Sequence, residues 1–327
     1  MLTNNTGISL SLAVWLVSDS YDHSDDPNTI SATTLLKPIR EIVLGRQNSH
    51  LLKGGDISTL VTSSMGTSLH DGIEASWSNL DKVKGSLEKL GYPEKVRNNI
   101  LINPKQEDLY DGCIPVYLEK RSFKKIGKYT ISGKFDIVLN GRLEDYKSTG
   151  CYSYVTQSNA EKHMQQGSIY KWLNPEIITD DIMAIQYIFT DWSKLSSIKD
   201  PKYPKSKLLE QTFNMMPVKE TESFVTGIVN EIDRLADAKQ KDLPRCSDEE
   251  LWVKPTVWKY YKDPKKTVRS TKNFNNYPDA SIRMVKDGSV GVVKEIKGEV
   301  VKCKFCNVME ICDQARELKT AGLLKII

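Results

Sequence analysis

Two aspartates and a lysine lie around a tight-turn signal in the segment 129–149. The dipeptide Asn140-Gly141 is typical of a two-residue hairpin turn, in which both residues need a positive φ. Counting outward from that turn places Asp136 opposite Asp145, with Cβ atoms about 4.5–5.5 Å apart. Two carboxylates at about 5 Å repel by about 3 kcal/mol at an effective dielectric of about 20, so this pair needs a compensating cation.

A divalent cation is the compensating charge that suits such a pair, because hard cations prefer carboxylate oxygen. A metal of this kind can generate hydroxide from water and stabilise charge on a phosphate in transfer. Lys147 lies two residues after Asp145, on the same face of its strand, and adds a positive charge beside a reacting group. The residues alone leave open a second interpretation, a solvated hairpin whose charges face water.

The surrounding sequence predicts the elements that hold this hairpin. Helices are predicted over 1–55, from Thr67 through Trp77, over 157–173 and over 218–240, and strands over 113–121, 128–139, 142–148 and 182–190. The last strand is apolar on both faces, which is typical of a central strand covered on both sides. The segment 196–207 is predicted to be a loop. The apolar run Ile8–Val17 is too short to span a bilayer and is predicted to be a buried helix.

A second constellation consists of cysteines near the C-terminus. Cys303, Cys306 and Cys312 have the spacing C-x₂-C-x₅-C, and short spacings of this kind place thiolates around one metal or cluster. Cys246 is the best candidate for a fourth ligand. The alternative is a set of reduced thiols without a metal. The remaining two, Cys113 and Cys151, flank the hairpin and are predicted to be core or loop thiols.

The hairpin resembles the signature of a known nuclease superfamily. Asp136, followed by Asp145-Tyr146-Lys147, is similar to the motif of the PD-(D/E)XK nucleases, although Phe135 stands where proline is usual.

Two further motifs resemble the RecB-like exonuclease branch of that superfamily. Gly66–His70 with Glu74 is similar to its G-T-x-x-H-x-x-x-E motif, and Gln166–Tyr170 is similar to its Q-x-x-x-Y motif. All these elements occur in the family's order over residues 66–170.

The resemblance implies a fold, a division into domains and a set of site residues. The expected fold class is α/β, a restriction-endonuclease-like mixed sheet flanked by helices, with a small C-terminal cysteine-bound module. The expected domains are an N-terminal helical segment 1–55, a nuclease core 56–242 and the module 243–327. The expected ligands of Mg²⁺ or Mn²⁺ are His70, Asp136, Asp145 and the carbonyl of Tyr146.

The other site residues have expected roles beside the metal. Lys147 would orient water or stabilise the pentavalent phosphate. Gln166 and Tyr170, one helical turn apart on one face, would position the DNA strand. Glu74 and Glu119 receive no role from the sequence.

The cysteine triplet resembles that of iron–sulfur RecB-like nucleases, and its arrangement with Cys246 is also similar to RecB-like exonucleases of tailed phages. In the iron–sulfur nucleases the fourth cysteine precedes the histidine motif, whereas the first cysteine of this chain is Cys113. The resemblance does not decide between iron–sulfur and zinc; a [4Fe–4S] cluster is the expected group, with Zn²⁺ as the alternative. Either group would be structural and would hold a lysine-rich flap, 254–272, near DNA.

The expected function is a metal-dependent DNA exonuclease in phage or bacterial DNA processing, recombination or repair. The net charge of +4 on 327 residues permits a polyanionic partner without requiring one. A helicase or recombination protein is an expected further partner, because the chain has no P-loop. The expected location is the cytoplasm, of the host if the chain is phage-encoded, with no membrane association; the oligomeric state is open. The alternatives are a non-catalytic DNA-binding or scaffold protein on the same fold, and a zinc-stabilised interaction protein.

Overall fold

The computed structural model describes residues 2–18, 26–51 and 54–325. The fold is mixed α/β, with mixed sheets flanked by helices, which confirms the predicted class. The chain forms two compact units, the first comprising Met1–Lys37 with Lys53–Asn230 and the second comprising Pro38–Leu52 with Glu231–Ile327. The first 55 residues are thus divided between the two units. Among the described helices, none has the length and apolar character needed to cross a membrane.

The helices of the described chain are α1 Leu10–Val17, α2 Ala32–Leu35, α3 Ile39–Gln47, α4 Val61–Trp77, α5 Leu80–Lys89, α6 Glu94–Asn98, α7 Cys151–Thr156, α8 Ala160–Leu173, α9 Lys194–Lys199, α10 Val218–Arg234, α11 Tyr277–Lys286 and α12 Asp313–Thr320. The strands are β1 Leu2–Thr3, β2 Thr29–Ser31, β3 Gly55–Asp56, β4 Ile100–Ile102, β5 Ile114–Leu118, β6 Arg121–Ile126, β7 Tyr129–Lys134, β8 Ile137–Leu139, β9 Arg142–Thr149, β10 Ile182–Phe189, β11 Leu208–Asn214, β12 Val257–Tyr261, β13 Lys272–Phe274 and β14 Val292–Ile296.

The first unit is built on a six-stranded sheet with the order β11-β10-β9-β8-β5-β4. The sheet is mixed, because β9 pairs parallel with β10 but antiparallel with β8. Helices α7 and α8 connect the parallel pair. Strand β10 is buried on both faces, as its sequence predicts, with Met183 and Ile185 on one face and Ala184 on the other. An added Cβ at Gly167 would collide with Met183 Sδ, so α8 approaches β10 closely only because Gly167 has no side chain.

The β8–β9 hairpin has the register that the sequence predicts. Leu139 pairs with Arg142 and Val138 with Leu143. The turn residue Asn140 has φ +48° and Gly141 has φ +92°. This confirms the turn signal, and the ladder ends at the Ile137–Glu144 pair, one residue before the predicted Asp136–Asp145 pair.

One predicted strand, 128–139, is wrong, because the chain changes sheets in its middle. Strand β7 pairs with β2 and β6 in a separate three-stranded sheet, whereas β8 pairs with β5 and β9 in the central sheet. Phe135 lies between them and is fully buried. The switch leaves Asp136 outside both ladders, so its backbone and side chain are available for other contacts.

The prediction of a buried helix at Ile8–Val17 is also wrong. Helix α1 forms there, but only Leu16 is buried, and Leu10 is 81% exposed. An apolar run of eight residues surrounds the whole helix with apolar side chains, and a helix on the surface can bury only one face of them.

Several boundaries differ from the predicted ones. Helix α4 begins at Val61 rather than Thr67, α8 at Ala160 rather than 157, and α10 ends at Arg234 rather than 240. Gln157 has φ +54°, a left-handed conformation that separates α7 from α8. The predicted loop 196–207 overlaps α9, which Ser193 caps by accepting a hydrogen bond from the amide of Ser196.

The second unit combines helices with a three-stranded antiparallel sheet of order β13-β12-β14, on which α11 packs. Its core contains apolar side chains from α3 and from several loops, together with two cysteines: Val43, Leu44, Leu235, Leu243, Leu251, Val300, Cys303, Val308, Cys312, Ala315 and Leu324. A bridge between Lys254 and Glu299 extends the β12–β14 pairing toward Cys303.

The hairpin turn gives a stability test. Gly141→Ala places a Cβ at positive φ and against Thr179 Oγ1, so we expect it to lower the free energy of unfolding by about 2 kcal/mol or more. Gly127→Ala, at the β6–β7 turn, has a positive φ of +55° with no atom within 4 Å of the added Cβ and should cost about 1–2 kcal/mol. Urea unfolding of both variants measures the difference; equal losses would contradict a role for the Thr179 contact.

Candidate active site and cysteine centre

The sheet switch places the Asp136 carboxylate against strand β9. Its Oδ2 accepts a hydrogen bond of 2.8 Å from the amide of Tyr146. Its Oδ1 lies 3.3 Å from Nδ1 of His70. Burial opposes ionisation, but the imidazole, the charge of Lys147 and the Tyr146 amide together hold the pKa of Asp136 below its usual range. Asp136 is therefore a half-buried carboxylate whose two oxygens are both directed at neighbouring polar groups.

Helix α4 brings His70 to the same place. The helix lies along β9, with the Cβ position of Gly66 only 3.7 Å from Ser148 Oγ. One turn later, His70 Nε2 is 3.0 Å from the carbonyl oxygen of Tyr146. Burial lowers the pKa of His70, but the neighbouring carboxylate of Asp136 outweighs that effect and raises it overall. The predicted ligands His70, Asp136 and the Tyr146 carbonyl thus meet in one cluster.

Asp145 and Lys147 project from the same face of β9, as alternation along a strand requires. Asp145 is only 2% exposed, and its Oδ2 forms an ion pair with Lys147 Nζ. Burial raises the pKa of Asp145 to about 6, although Lys147 acts against that shift. Burial also opposes the charge on Lys147, but Asp145 and Asp136 raise its pKa overall.

Gln166 and Tyr170 share one face of α8, as their spacing predicts. The Gln166 amide donates to Asp145 Oδ1 at 3.3 Å and to the Tyr170 hydroxyl at 2.8 Å. Tyr170 is only 5% exposed, so its ring offers little surface to a bound strand. Tyr170 therefore holds the Gln166 amide in position against Asp145.

Glu119 is a site residue to which the sequence assigns no role. It follows β5, which pairs with β8, and its amide donates to the carbonyl oxygen of Asp136 at 2.9 Å. Single ligand atoms of His70, Glu119 and Asp136 all lie within 4.8 Å of one another. The pairing of β5 with β8 is the signal that would have revealed it, because that pairing places the end of β5 beside Asp136.

The backbone and charge of Glu119 are both unusual. Its φ is +45°, in the left-handed region that residues other than glycine rarely adopt. Burial raises its pKa even though Lys134 forms an ion pair with it, and the charges of Asp136 and Glu74 act in the same direction as burial. Three carboxylates, of Glu119, Asp136 and Asp145, thus lie among Lys134, Lys147 and His70.

The chemical type of the donor atoms at this site shows whether a divalent cation fits. Three carboxylates, one imidazole and one backbone carbonyl are the donors that Mg²⁺ and Mn²⁺ accept. A cation there would stabilise the ionised forms of Asp145 and Glu119, whose pKa values burial raises. The residues present fit such a metal.

The four C-terminal cysteines also come together, within the second unit. Cys246, Cys303, Cys306 and Cys312 line one small cavity, and all are free thiols. Burial raises the pKa of Cys246 to about 12 and that of Cys306 to about 11. The two cysteines beside the hairpin differ: Cys151 is buried at the start of α7, and Cys113 is half-buried before β5.

A buried arginine holds one side of the cysteine cavity. Arg40 Nε donates to Cys312 Sγ at 3.4 Å, and its terminal nitrogens reach Asp313 and the carbonyl oxygens of Gln240, Leu243 and Pro244. The cavity therefore has four thiols on one lining, which is the ligand set of a thiolate-bound metal or cluster.

No protein-family model matches this chain, and no curated protein sequence matches it. Among solved structures, one similar chain is described as the crystal structure of SSO0001; it is 16% identical, with a TM-score of 0.40. The match covers 73% of this chain and 94% of that one.

Glu119 provides a test of the cation site. Glu119→Gln keeps the shape of the side chain but removes one charge from the donor cluster, so we expect the Kd for Mn²⁺ to rise about tenfold or more. The electron paramagnetic resonance signal of free Mn²⁺ measures the affinity. Glu107→Gln, at an exposed position, is the matched control and should bind as the parent does. Equal affinity in the two variants would remove Glu119 from the site.

Proposed function

We propose that this protein is a metal-dependent DNA exonuclease of the RecB-like branch of the PD-(D/E)XK superfamily. The observation that carries the proposal is that His70 contacts both Asp136 and the carbonyl of Tyr146, while the Asp145–Lys147 ion pair lies on either side of Tyr146 in the same strand. These residues lie on α4, before β8 and on β9, so only the fold brings them together.

The proposed metal is Mg²⁺ or Mn²⁺, held by His70, Asp136, Asp145 and the carbonyl of Tyr146, with Glu119 as a further oxygen donor. When bound, the ion supplies an activated water and charge stabilisation at a phosphate. The donor set supports this assignment because it is dominated by hard oxygen ligands.

Lys147 acts in this proposal as a fixed cation and not as a base. Its raised pKa keeps the ammonium protonated, and Asp145 holds it in place. Its side chain is 29% exposed, so the charge can face a phosphate at the surface of the site. A protonated amine beside the scissile phosphate stabilises the negative charge that develops as the phosphodiester breaks.

Gln166 and Tyr170, both on α8, support the geometry of the Asp145–Lys147 pair. Gln166 donates to Asp145 and so orients the carboxylate relative to Lys147. Tyr170 accepts from Gln166 and fixes its amide. We assign Tyr170 a positioning role, and Gln166 is the member of the pair that could touch DNA.

We also propose that Cys246, Cys303, Cys306 and Cys312 hold a [4Fe–4S] cluster. The support for a thiolate-bound group is that all four cysteines line one cavity, with the short spacing that places thiolates around one metal or cluster. Zn²⁺ is the alternative.

The chain would process DNA in phage or bacterial recombination or repair, in the cytoplasm of the cell that contains it. A partner helicase or recombination protein would supply unwinding. The alternative is a non-catalytic DNA-binding or scaffold protein on the same fold, and the cleavage test separates the two.

End-labelled linear DNA and closed circular DNA distinguish these possibilities. With Mg²⁺ or Mn²⁺ we expect loss of the linear substrate only, and none when EDTA is added at the time of assay. Lys147→Ala should reduce the rate about 10²–10³-fold, because it removes a charge at the reacting phosphate. Lys105→Ala, at an exposed position, is the control. Cutting of circles would make the enzyme an endonuclease, and no cleavage by the folded, metal-loaded protein would favour the scaffold alternative.

Elemental analysis of protein purified without oxygen tests the cysteine centre. We expect iron and acid-labile sulfide in equal amounts, together with the broad visible absorption of a cluster. Cys306→Ser should lose most of both, whereas Cys113→Ser, beside the hairpin, should keep them. Zinc without sulfide would support the alternative metal, and protein that folds with neither metal would contradict a cofactor there.

A further inference from the structure

Two aromatic side chains in the second unit are exposed and in ring contact beside the cysteine cavity. Phe305 is 70% exposed and Trp252 is 41% exposed. Their ring centroids are 6.3 Å apart, and Lys302 Nζ lies 5.4 Å from the centre of the Trp252 ring. Large exposed rings cost hydration free energy, so a pair of them presented together marks a surface that contacts a partner.

The backbone holds both rings outward. Phe305 lies between Cys303 and Cys306, and the amide of Cys306 donates to the carbonyl of Cys303 at 3.2 Å, which closes the short turn around Phe305. Trp252 has φ +52°, a conformation that a bulky side chain rarely adopts. Strained backbone conformations cluster at functional sites, and this one sets the direction in which the Trp252 ring projects.

The segment that follows Trp252 in sequence is strongly cationic. The segment Lys254–Lys272 contains seven lysine and arginine residues against one aspartate, Asp263. Within it, Lys259 on β12 is the direct partner of Lys294 on β14. Like charges in direct register destabilise a sheet, and an anion bound between the two would offset that repulsion.

We propose that the second unit binds unpaired DNA, with a base stacked on the Phe305–Trp252 pair and phosphates held by Lys259 and Lys294. Exposed aromatic rings combined with a cationic track are what single-stranded nucleic acid recognises, because every base has a π-face and every linkage a charge. An acidic protein would satisfy the lysines but would leave the rings without a matching partner. The choice of DNA rests on the proposed function; the stacking and charge contacts do not.

The binding assay is fluorescence anisotropy of a labelled oligothymidylate with the parent protein in EDTA, so that cleavage does not interfere. Phe305→Ala should weaken binding about 5- to 100-fold. Phe305→Tyr keeps an aromatic ring and should bind as the parent does. Trp252→Gly removes the ring and places at positive φ the one residue that adopts it freely, so it should weaken binding while the protein stays folded. Tyr92→Ala, another exposed aromatic, should bind as the parent does.

The lysine pair has a signature of its own. Lys259→Gln should reduce the slope of log K against log salt concentration by about 0.7, as expected when one phosphate contact is lost from a single strand. The same variant removes a like-charge repulsion, so its melting temperature should not fall. A variant that only disturbed the fold would lose stability and affinity together.

Blunt duplex DNA and polyglutamate complete the test. The affinity for blunt duplex should not respond to Phe305→Ala, because its bases are paired. Equal losses for duplex and oligothymidylate, or polyglutamate competition equal to that of oligothymidylate, would overturn the proposal, as would unchanged binding in Phe305→Ala. The binding readouts are equilibrium affinities, so they can be interpreted even if the cleavage assay fails. The cleavage result can likewise be interpreted if these affinities do not change.

Discussion

Asp145 is buried in the central sheet with its carboxylate against the ammonium group of Lys147, where water can hydrate only the lysine side of the pair. Removing one partner of a buried ion pair costs about 3–5 kcal/mol, because the remaining charge has no solvent to receive it. The pair therefore constrains β9, and the contacts of Gln166 with Asp145 and of Tyr170 with Gln166 extend that constraint to α8. The other parts of the candidate site are arranged around this fixed charge.

Asp136 reaches the same point by a different route, since the chain leaves one sheet and enters another at Phe135. That crossing frees Asp136 from strand pairing and lets its carboxylate accept from the amide of Tyr146 and face His70. Glu119, at the end of the neighbouring strand, meets it through the backbone. The acidic groups are thus close because strand ends converge, and burial there raises the pKa of both Asp145 and Glu119.

The second unit is organised on a comparable principle, with thiols in place of carboxylates. Four cysteines surround a cavity, and the guanidinium of Arg40 lies against one of them while it also satisfies three backbone carbonyls. The short turn between Cys303 and Cys306 determines where Phe305 projects, so the proposed cofactor and the proposed stacking surface depend on the same few residues.

The sequence by itself determined the hairpin, its register and the residues that share a face, because a two-residue turn and the period of a strand are local properties. It identified Asp136, Asp145 and Lys147 by the same reasoning, and His70, Gln166 and Tyr170 by motif resemblance. It could not reveal the change of sheet at Phe135, because β7 and β8 have the same local character and only their partners differ.

Tertiary structure alone decided the remaining features. The pairing of β5 with β8 brings Glu119 to Asp136, although the two residues are not neighbours in the chain. The burial of Tyr170 and the exposure of α1 depend on which surfaces the rest of the chain covers. Local patterns encode backbone preference and periodicity, whereas pairing, burial and electrostatic environment arise from residues distant in sequence, and those are what bring the separate motifs to one point.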